Sequence, residues 1–309
     1  TGGNMKKLIK LGLFMITLSL ILMQKETIIT FIKETLNPKN ITVELGEKND
    51  YYRNYDFSYV QNTDNFSPEC RQDILNIYYT AINAGKNTFT FYCSKDYETC
   101  MDDIKELANN QETLSHINNF VHPYNGFQHI ETEYDSLGKV TITVHKSYTT
   151  SEIQEIEKKL DYIEANVLNK NLSTTENIKL AHDYIINNSS YDITKKNTGV
   201  TSYKSDIAYG PLIEGYGICG GYTDAMELIL ERLGIENYKI SSDNHVWNAV
   251  NLNNTWYHLD LTWDDPITSN NTQVLDHSFF LINTKKLLEI ETTEHQFDQD
   301  IYQELKLTY

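Results

Sequence analysis

The chain is short of cysteine, with four in 309 residues, and short of basic side chains, with 26 Lys and Arg against 43 Asp and Glu. A net charge of −17 excludes nucleic acid and anionic membrane surfaces as the main partner of the folded part, because both need a basic face. No run of Lys or Arg beyond the N-terminus offsets it. The spacings of Cys70, Cys93, Cys100 and Cys219 fit no zinc ribbon, so neither a metal nor a cofactor is expected. Internal repeats and low-complexity tracts are also missing. What remains is an ordinary globular composition, 40% hydrophobic and 22% charged, on a length that suggests about two domains.

No uncharged run reaches the roughly 20 residues of a free-standing membrane span. The longest uncharged run dominated by apolar residues is the thirteen residues from Leu11 to Met23, rich in Leu, Ile and Met. Lys6, Lys7 and Lys10 precede it as a positive n-region. Met5-Lys6-Lys7 reads as the start, with the four residues before it an expression scar or a mis-assigned start. No small-x-small cleavage site follows, since the next residues are Gln24, Lys25, Glu26 and Thr27. The expectation is an uncleaved signal-anchor with its tether over 1–38, the positive end inside and the bulk of the chain outside the cell. Secretion is the alternative. That setting permits disulfides; Cys93 and Cys100 are the nearest pair among Cys70, Cys93 and Cys100, but spacing does not fix which pair forms.

A small mixed α/β domain is expected over 39–148. Ile74, Leu75, Tyr78 and Ile82 have helical spacing up to Gly85, Met101, Ile104 and Leu107 suggest a second helix, and Thr88–Tyr92 and Val140–Val144 alternate as strands. His122, His129 and His145 are scattered here and read as satisfied or surface histidines. A second domain over 149–309 opens with two capping boxes, Thr149-x-x-Glu152 and Ser173-x-x-Glu176, each followed by an amphipathic stripe; the second stripe includes Ile178, Ala181, His182 and Ile185.

The stretch GYGICGGY at 215–222 places four of the fourteen glycines around one cysteine. Tyr222, Ala225, Met226, Ile229, Leu230 and Leu233 follow as a helical stripe stopped by Gly234. Cys219 is thereby put at a helix N-terminus, where free amides and the dipole favour a thiolate. The glycines read as leaving the first turn unobstructed for a substrate carbonyl. Downstream, HVWNAVNLNNTWYHLDL reads as a β-hairpin from His245 to Leu261. Pairing Asn251 with Asn254 sets His245 opposite Asp260, Trp247 opposite His258 and Ala249 opposite Trp256, all on one face.

Cys219, His245 and Asp260 then form the nucleophile, base and orienter of thiol acyl transfer, with the Cys219 N–H as an oxyanion donor. Trp247, Trp256 and Trp263 shield the ion pair or pack the core. A metal site of His245, His258 and Asp260 is conceivable on the same face, but it leaves Cys219 unexplained.

The segments AYGPLIEGYGICGGYTDAMELILERLGIENYKI, HVWNAV and TWYHLDLTWDDP, preceded by AHDYIINNSSYD and followed by HSFFLIN and a later Glu-His, resemble the transglutaminase-like superfamily, in particular its bacterial papain-like cysteine hydrolase branch. The resemblance covers about residues 173 to 297. It implies an α+β fold: a papain-like or transglutaminase-like core, with a cysteine-bearing helix packed on an antiparallel sheet that carries His245 and Asp260. Tyr209 is a candidate second oxyanion donor. Gly220, where members often carry a longer polar side chain, and Trp247 are candidate substrate contacts. The expected activity is thiol-dependent hydrolysis of peptide, isopeptide or amide bonds in a protein or peptide substrate. Protein-glutamine cross-linking and a catalytically silent envelope binding module are the alternatives.

Overall fold

A computed structural model describes residues 42–266 and 274–307. The expected anchor and tether at 1–38 lie outside the described residues. Among the residues described, no helix is long and apolar enough to cross a membrane.

The first region builds α1 (Arg71–Asn83), β1 (Thr88–Tyr92), α2 (Cys100–Asn109), α3 (Gln111–Asn118), β2 (Phe127–Tyr134) and β3 (Lys139–Lys146). The strands form an antiparallel sheet in the order β1-β3-β2. Alternation and helical spacing anticipate α1, α2, β1 and β3. They miss β2, whose sequence FQHIETEY buries only Phe127 and Ile130 and so carries no period of two. They also miss α3, only eight residues long and started by Asn110, whose side chain accepts from the Thr113 N–H. Cys93 and Cys100 are joined, with Cα atoms 5.8 Å apart, and fasten the end of β1 to the start of α2.

The second region builds α4 (Thr150–Asn166), α5 (Thr174–Asn188), β4 (Ser190–Tyr191), α6 (Ile193–Thr198), β5 (Tyr216–Gly217), α7 (Cys219–Arg232), β6 (Asn237–Ser241), β7 (Val246–Leu252), β8 (Thr255–Leu259) and α8 (Thr284–Ile290). Both expected capping boxes form: Thr149 and Ser173 each accept from the N–H three residues on, and Glu152 and Glu176 reach back to the cap. The antiparallel sheet β6-β7-β8 lies between two apolar cores. Tyr238, Ile240, Trp247, Ala249 and Trp256 join the core shared with α1–α3. Val250 and Leu259, which point the opposite way, join the core of α4, α5 and α7. Each fully buried Leu, Ile or Val adds about 1.5–3 kcal/mol, so both faces of the sheet are committed to packing and only its ends are free for chemistry.

The hairpin register differs from the expected one. Leu252 pairs with Thr255 and Ala249 with His258, so the turn is Asn253-Asn254 and not Leu252-Asn253. Both asparagines have positive φ, 56° and 62°. A two-residue hairpin turn of this type needs left-handed backbone at both positions, which asparagine adopts more readily than leucine. The slip is two residues, which preserves the side-chain faces, so His245 and Asp260 become diagonal neighbours.

Candidate active site

Cys219 begins α7, with Ile218 as an extended N-cap. The glycines beside it answer to the protein's own backbone. A Cβ on Gly220 would stand 2.7 Å from the Asp206 carbonyl oxygen, and one on Gly221 2.3 Å from that of Ser205. Ser205 also accepts from the Ile218 N–H at 2.9 Å. The strap 205–207 therefore crosses the first turn of α7 at backbone distance, and Gly220 and Gly221 are there to let it. The expectation of an unobstructed turn is corrected on that side.

Helix α7 is locked to the sheet by the Asn248 amide donating to the Thr223 carbonyl at 3.0 Å and the Thr223 hydroxyl near the Val246 carbonyl at 3.0 Å. On its inner side Arg53, from the first region, lies 2.5 Å from both Glu227 and Glu231, and Lys239 lies 2.9 Å from Asp224. Removing one partner of such a buried pair costs about 3–5 kcal/mol. The sulfur-bearing end is thus held by the rest of the helix.

His245 and Asp260 meet just beyond the paired ends of β7 and β8. His245 Nε2 is 2.5 Å from Asp260 Oδ2, with both side chains buried. The Cys219 sulfur faces the same cavity as this imidazole, and Nδ1 is the ring nitrogen that Asp260 leaves open. Burial opposes a charge on His245, but the adjacent Asp260 carboxylate and the Cys219 sulfur outweigh it and raise the imidazole to about 10. Burial likewise opposes ionisation of Asp260, and the two imidazoles beside it overcome that and hold the carboxyl well below its ordinary range. Asp260 Oδ1 accepts from the N–H groups of Thr262 and Trp263 at 2.8 and 3.2 Å.

The second imidazole is His295, which sequence reasoning left out. Its Nε2 is 2.8 Å from Asp260 Oδ2 and its Nδ1 is 2.8 Å from Glu291 Oε2. It is fully buried, stacked on Phe279 and edge-on to Trp247. The only sequence signal was the Glu-His pair at 294–295, and the carboxylate that binds it is Glu291, one helical turn earlier.

The other expected residues are distributed as follows. Trp247 is completely buried and stacks on the His245 ring at 5.5 Å, with its indole N–H donated to His258 Nδ1 at 2.9 Å. It offers no surface to a ligand and supports the imidazole from behind. Trp263 touches His295, whereas Trp256 packs on Tyr238 in the core. His258 has both nitrogens engaged, by Trp247 and by Thr284 at 3.0 Å, and burial with the nearby His295 lowers it to about 3. It has no lone pair left for a metal shared with His245 and Asp260. Tyr209 is not brought to the cluster; its hydroxyl donates to Glu155 on α4 at 2.8 Å. Tyr191 is there in its place. It is half-buried, lines the cavity that holds Cys219 and His245, and burial with the nearby sulfur raises its phenol to about 12.

That cavity measures about 610 Å³ and is bounded by Tyr191, Ile218, Asn244, Trp263 and Glu294. A second cleft of about 650 Å³ reaches Gly220 and Val246 from the other side, between the first region and the strap. Gly220 lines this second cleft. The two hollows flank the first turn of α7.

Residues 161–261 match the model of the transglutaminase-like superfamily, a span that contains Cys219, His245 and Asp260. Among solved structures, the chain is similar to one described as a TGase, at 16% identity and a TM-score of 0.31, covering 44% of this chain and 45% of that one. It is also similar to a candidate cysteine protease of Cytophaga hutchinsonii, at 14% identity and a TM-score of 0.28, covering 50% of this chain and 68% of that one. The match thus spans less than half the length of the first. No curated protein matches.

Proposed function

On the match of residues 161–261 to the transglutaminase-like superfamily, we propose that the protein is a thiol-dependent acyl-transfer enzyme that hydrolyses peptide, isopeptide or amide bonds in a protein or peptide substrate. The observation that carries this reading is one cluster: a thiol at a helix N-terminus, sharing a cavity with an imidazole whose Nε2 lies 2.5 Å from a buried carboxylate.

The chemistry runs through these groups. The Cys219 sulfur attacks the substrate carbonyl, and the proton held on His245 passes to the leaving amine as the carbon–nitrogen bond breaks. Water then attacks the thioester, His245 takes its proton, and the carboxylic acid leaves as the thiol is restored. The N–H of Cys219, in the first turn where amides have no intrahelical partner, and the Tyr191 hydroxyl serve as oxyanion donors. Asp260 fixes the ring and stabilises its charge. His295 is a positioning residue: with Glu291 behind it, it holds the same carboxylate oxygen, its ring edge-on to that of His245 at 5.2 Å.

The second cleft favours a second reading, transfer to an amine, because it offers another approach to the same helix turn. Anchoring outside the cell belongs to the proposal on the strength of the N-terminal pattern and the Cys93–Cys100 bridge, which an oxidising compartment preserves.

The test is intact-mass analysis of the full chain with peptide libraries, with and without a primary amine. A thioester adduct on Cys219 that water discharges supports hydrolysis. Amine-bearing product formed in preference to acid supports transfer. No adduct and no cleavage leaves a binding module and overturns the enzyme reading.

A further inference from the structure

A second group of two imidazoles and a carboxylate lies outside the candidate active site, on α5 and the segment after residue 274. His182 Nδ1 is 2.9 Å from Asp183 Oδ1, and His277 Nε2 is 2.6 Å from the same oxygen. The three atoms all lie within 4.8 Å of one another. We propose that His182, Asp183 and His277 form a binding site for a divalent transition-metal ion of the zinc class.

Three observations beyond proximity support the site. The first is what lies behind the ligands. The far nitrogen of His182 is 3.1 Å from Asp264 Oδ2, and both side chains are fully buried. Asp264 is itself oriented by the Phe279 N–H, donated to Oδ1 at 2.9 Å. A carboxylate that takes the Nε2–H of a histidine fixes its tautomer and turns Nδ1 into the ligating atom, the arrangement found behind most metal-bound histidines. The second is the division of Asp183: Lys179 takes Oδ2 at 2.5 Å and leaves Oδ1 between the imidazoles. The third is access. His182 is sealed, while the side chains of Asp183 and His277 are 23% and 33% exposed, so an ion can enter and keep a water on its open side. Ligands on one zinc ion stand ~3.3 Å apart at its preferred ~2.0–2.1 Å bonds, so the two contacts to Asp183 Oδ1 need to open by about half an ångström each. The protons that now bridge them leave to solvent as the ion enters.

The two other groups of this kind among the described residues lack one feature or another. His129, Glu131 and His145 are surface groups on β2 and β3, between 40% and 62% exposed. His245, Asp260 and His295 are all buried, with Glu291 already on the His295 imidazole. A metal at His277 would clamp α5 to residues 276–279, which bond to Asp264 between the Trp263 and Asp265 of the Cys219 cavity.

The test uses the full chain without a polyhistidine tag, stripped with a chelator and titrated with zinc, then with cobalt(II) to read the ligand-field absorption. One equivalent is expected to bind at micromolar free zinc. H277A and D183N, both altered at partly exposed positions and checked for folding by circular dichroism, are expected to lose the site. D264N is expected to weaken it by about 10- to 100-fold, and H145A to leave it intact. No binding by the parent chain overturns the proposal. So does parent-like affinity in H277A, or a loss confined to H145A.

Discussion

Two carboxylates in this molecule each hold two imidazoles on a single oxygen, and they differ in what surrounds them. Asp260 Oδ2 lies between His245 and His295 in a sealed pocket, with its other oxygen fixed by two backbone N–H groups. Asp183 Oδ1 lies between His182 and His277 at the surface, with its other oxygen on a lysine. Under the two proposals the same triad of groups serves two ends. Where the shell is closed and a thiol shares the cavity, the proposed mobile element is the proton on His245. Where the shell is open and a carboxylate stands behind one imidazole, the site suits a cation. Burial and the third partner decide the chemistry, and residue type alone does not.

The largest effect that separates the two comes from Asp260. Asp260→Asn should keep the fold but lower acylation of Cys219 by about 10²- to 10⁴-fold, the usual worth of positioned proton transfer. His245→Ala should cost at least as much. The double variant should cost far less than the sum of the two losses, because residues that act as one unit are not additive. Single-turnover acylation of the three variants measures this, and additive losses would detach Asp260 from His245.

A smaller effect is expected at His295. Replacing it with Gln removes one charge-assisted hydrogen bond from Asp260, worth about 1.5–3 kcal/mol, and so about tenfold to a hundredfold in rate. The discriminating readout is the pH profile of acylation. A shifted profile marks a positioning residue, whereas a lowered melting temperature with an unmoved profile marks a merely structural one.

The last effect falls on stability and not on rate, and it is read against pH. His245 is raised to about 10 in the fold from about 6.5 in the unfolded chain. Its contribution is full below about 6.5 and is lost as pH rises through about 10. His258 is lowered to about 3, so its contribution is present above about 6.5 and is lost as pH falls toward 3. Thermal midpoints should therefore decline on both sides, and His245→Gln should flatten the alkaline side only. An unchanged alkaline limb would count against a charged His245 in the fold.

The sequence was most readable where the signal is local. The stripe after Cys219 predicts α7, the two capping boxes predict α4 and α5, and two alternating runs predict β7 and β8 with His245 and Asp260 on one face. The register was out of reach because it depends on which two of the four residues 251–254 take left-handed backbone. Gly220 and Gly221 were misread because the strap they accommodate, 205–207, arrives from outside the helix. His295 comes to Asp260 from thirty-five residues away, and His277 comes to Asp183 from ninety-four. His182 stood in an apolar stripe and read as core. Such partners carry no spacing, and only the folded chain brings them together.

The account rests on Cys219 being the activated thiol, and its competitor is Cys70. Cys70 is exposed and Cys219 only partly so, so accessibility alone favours Cys70. The direct measurement is substoichiometric iodoacetamide labelling of the full chain at neutral pH, read by peptide mass mapping. The account predicts that Cys219 labels first and that His245→Ala removes its advantage. Labelling of Cys70 as fast as or faster than Cys219 in the parent chain would contradict it.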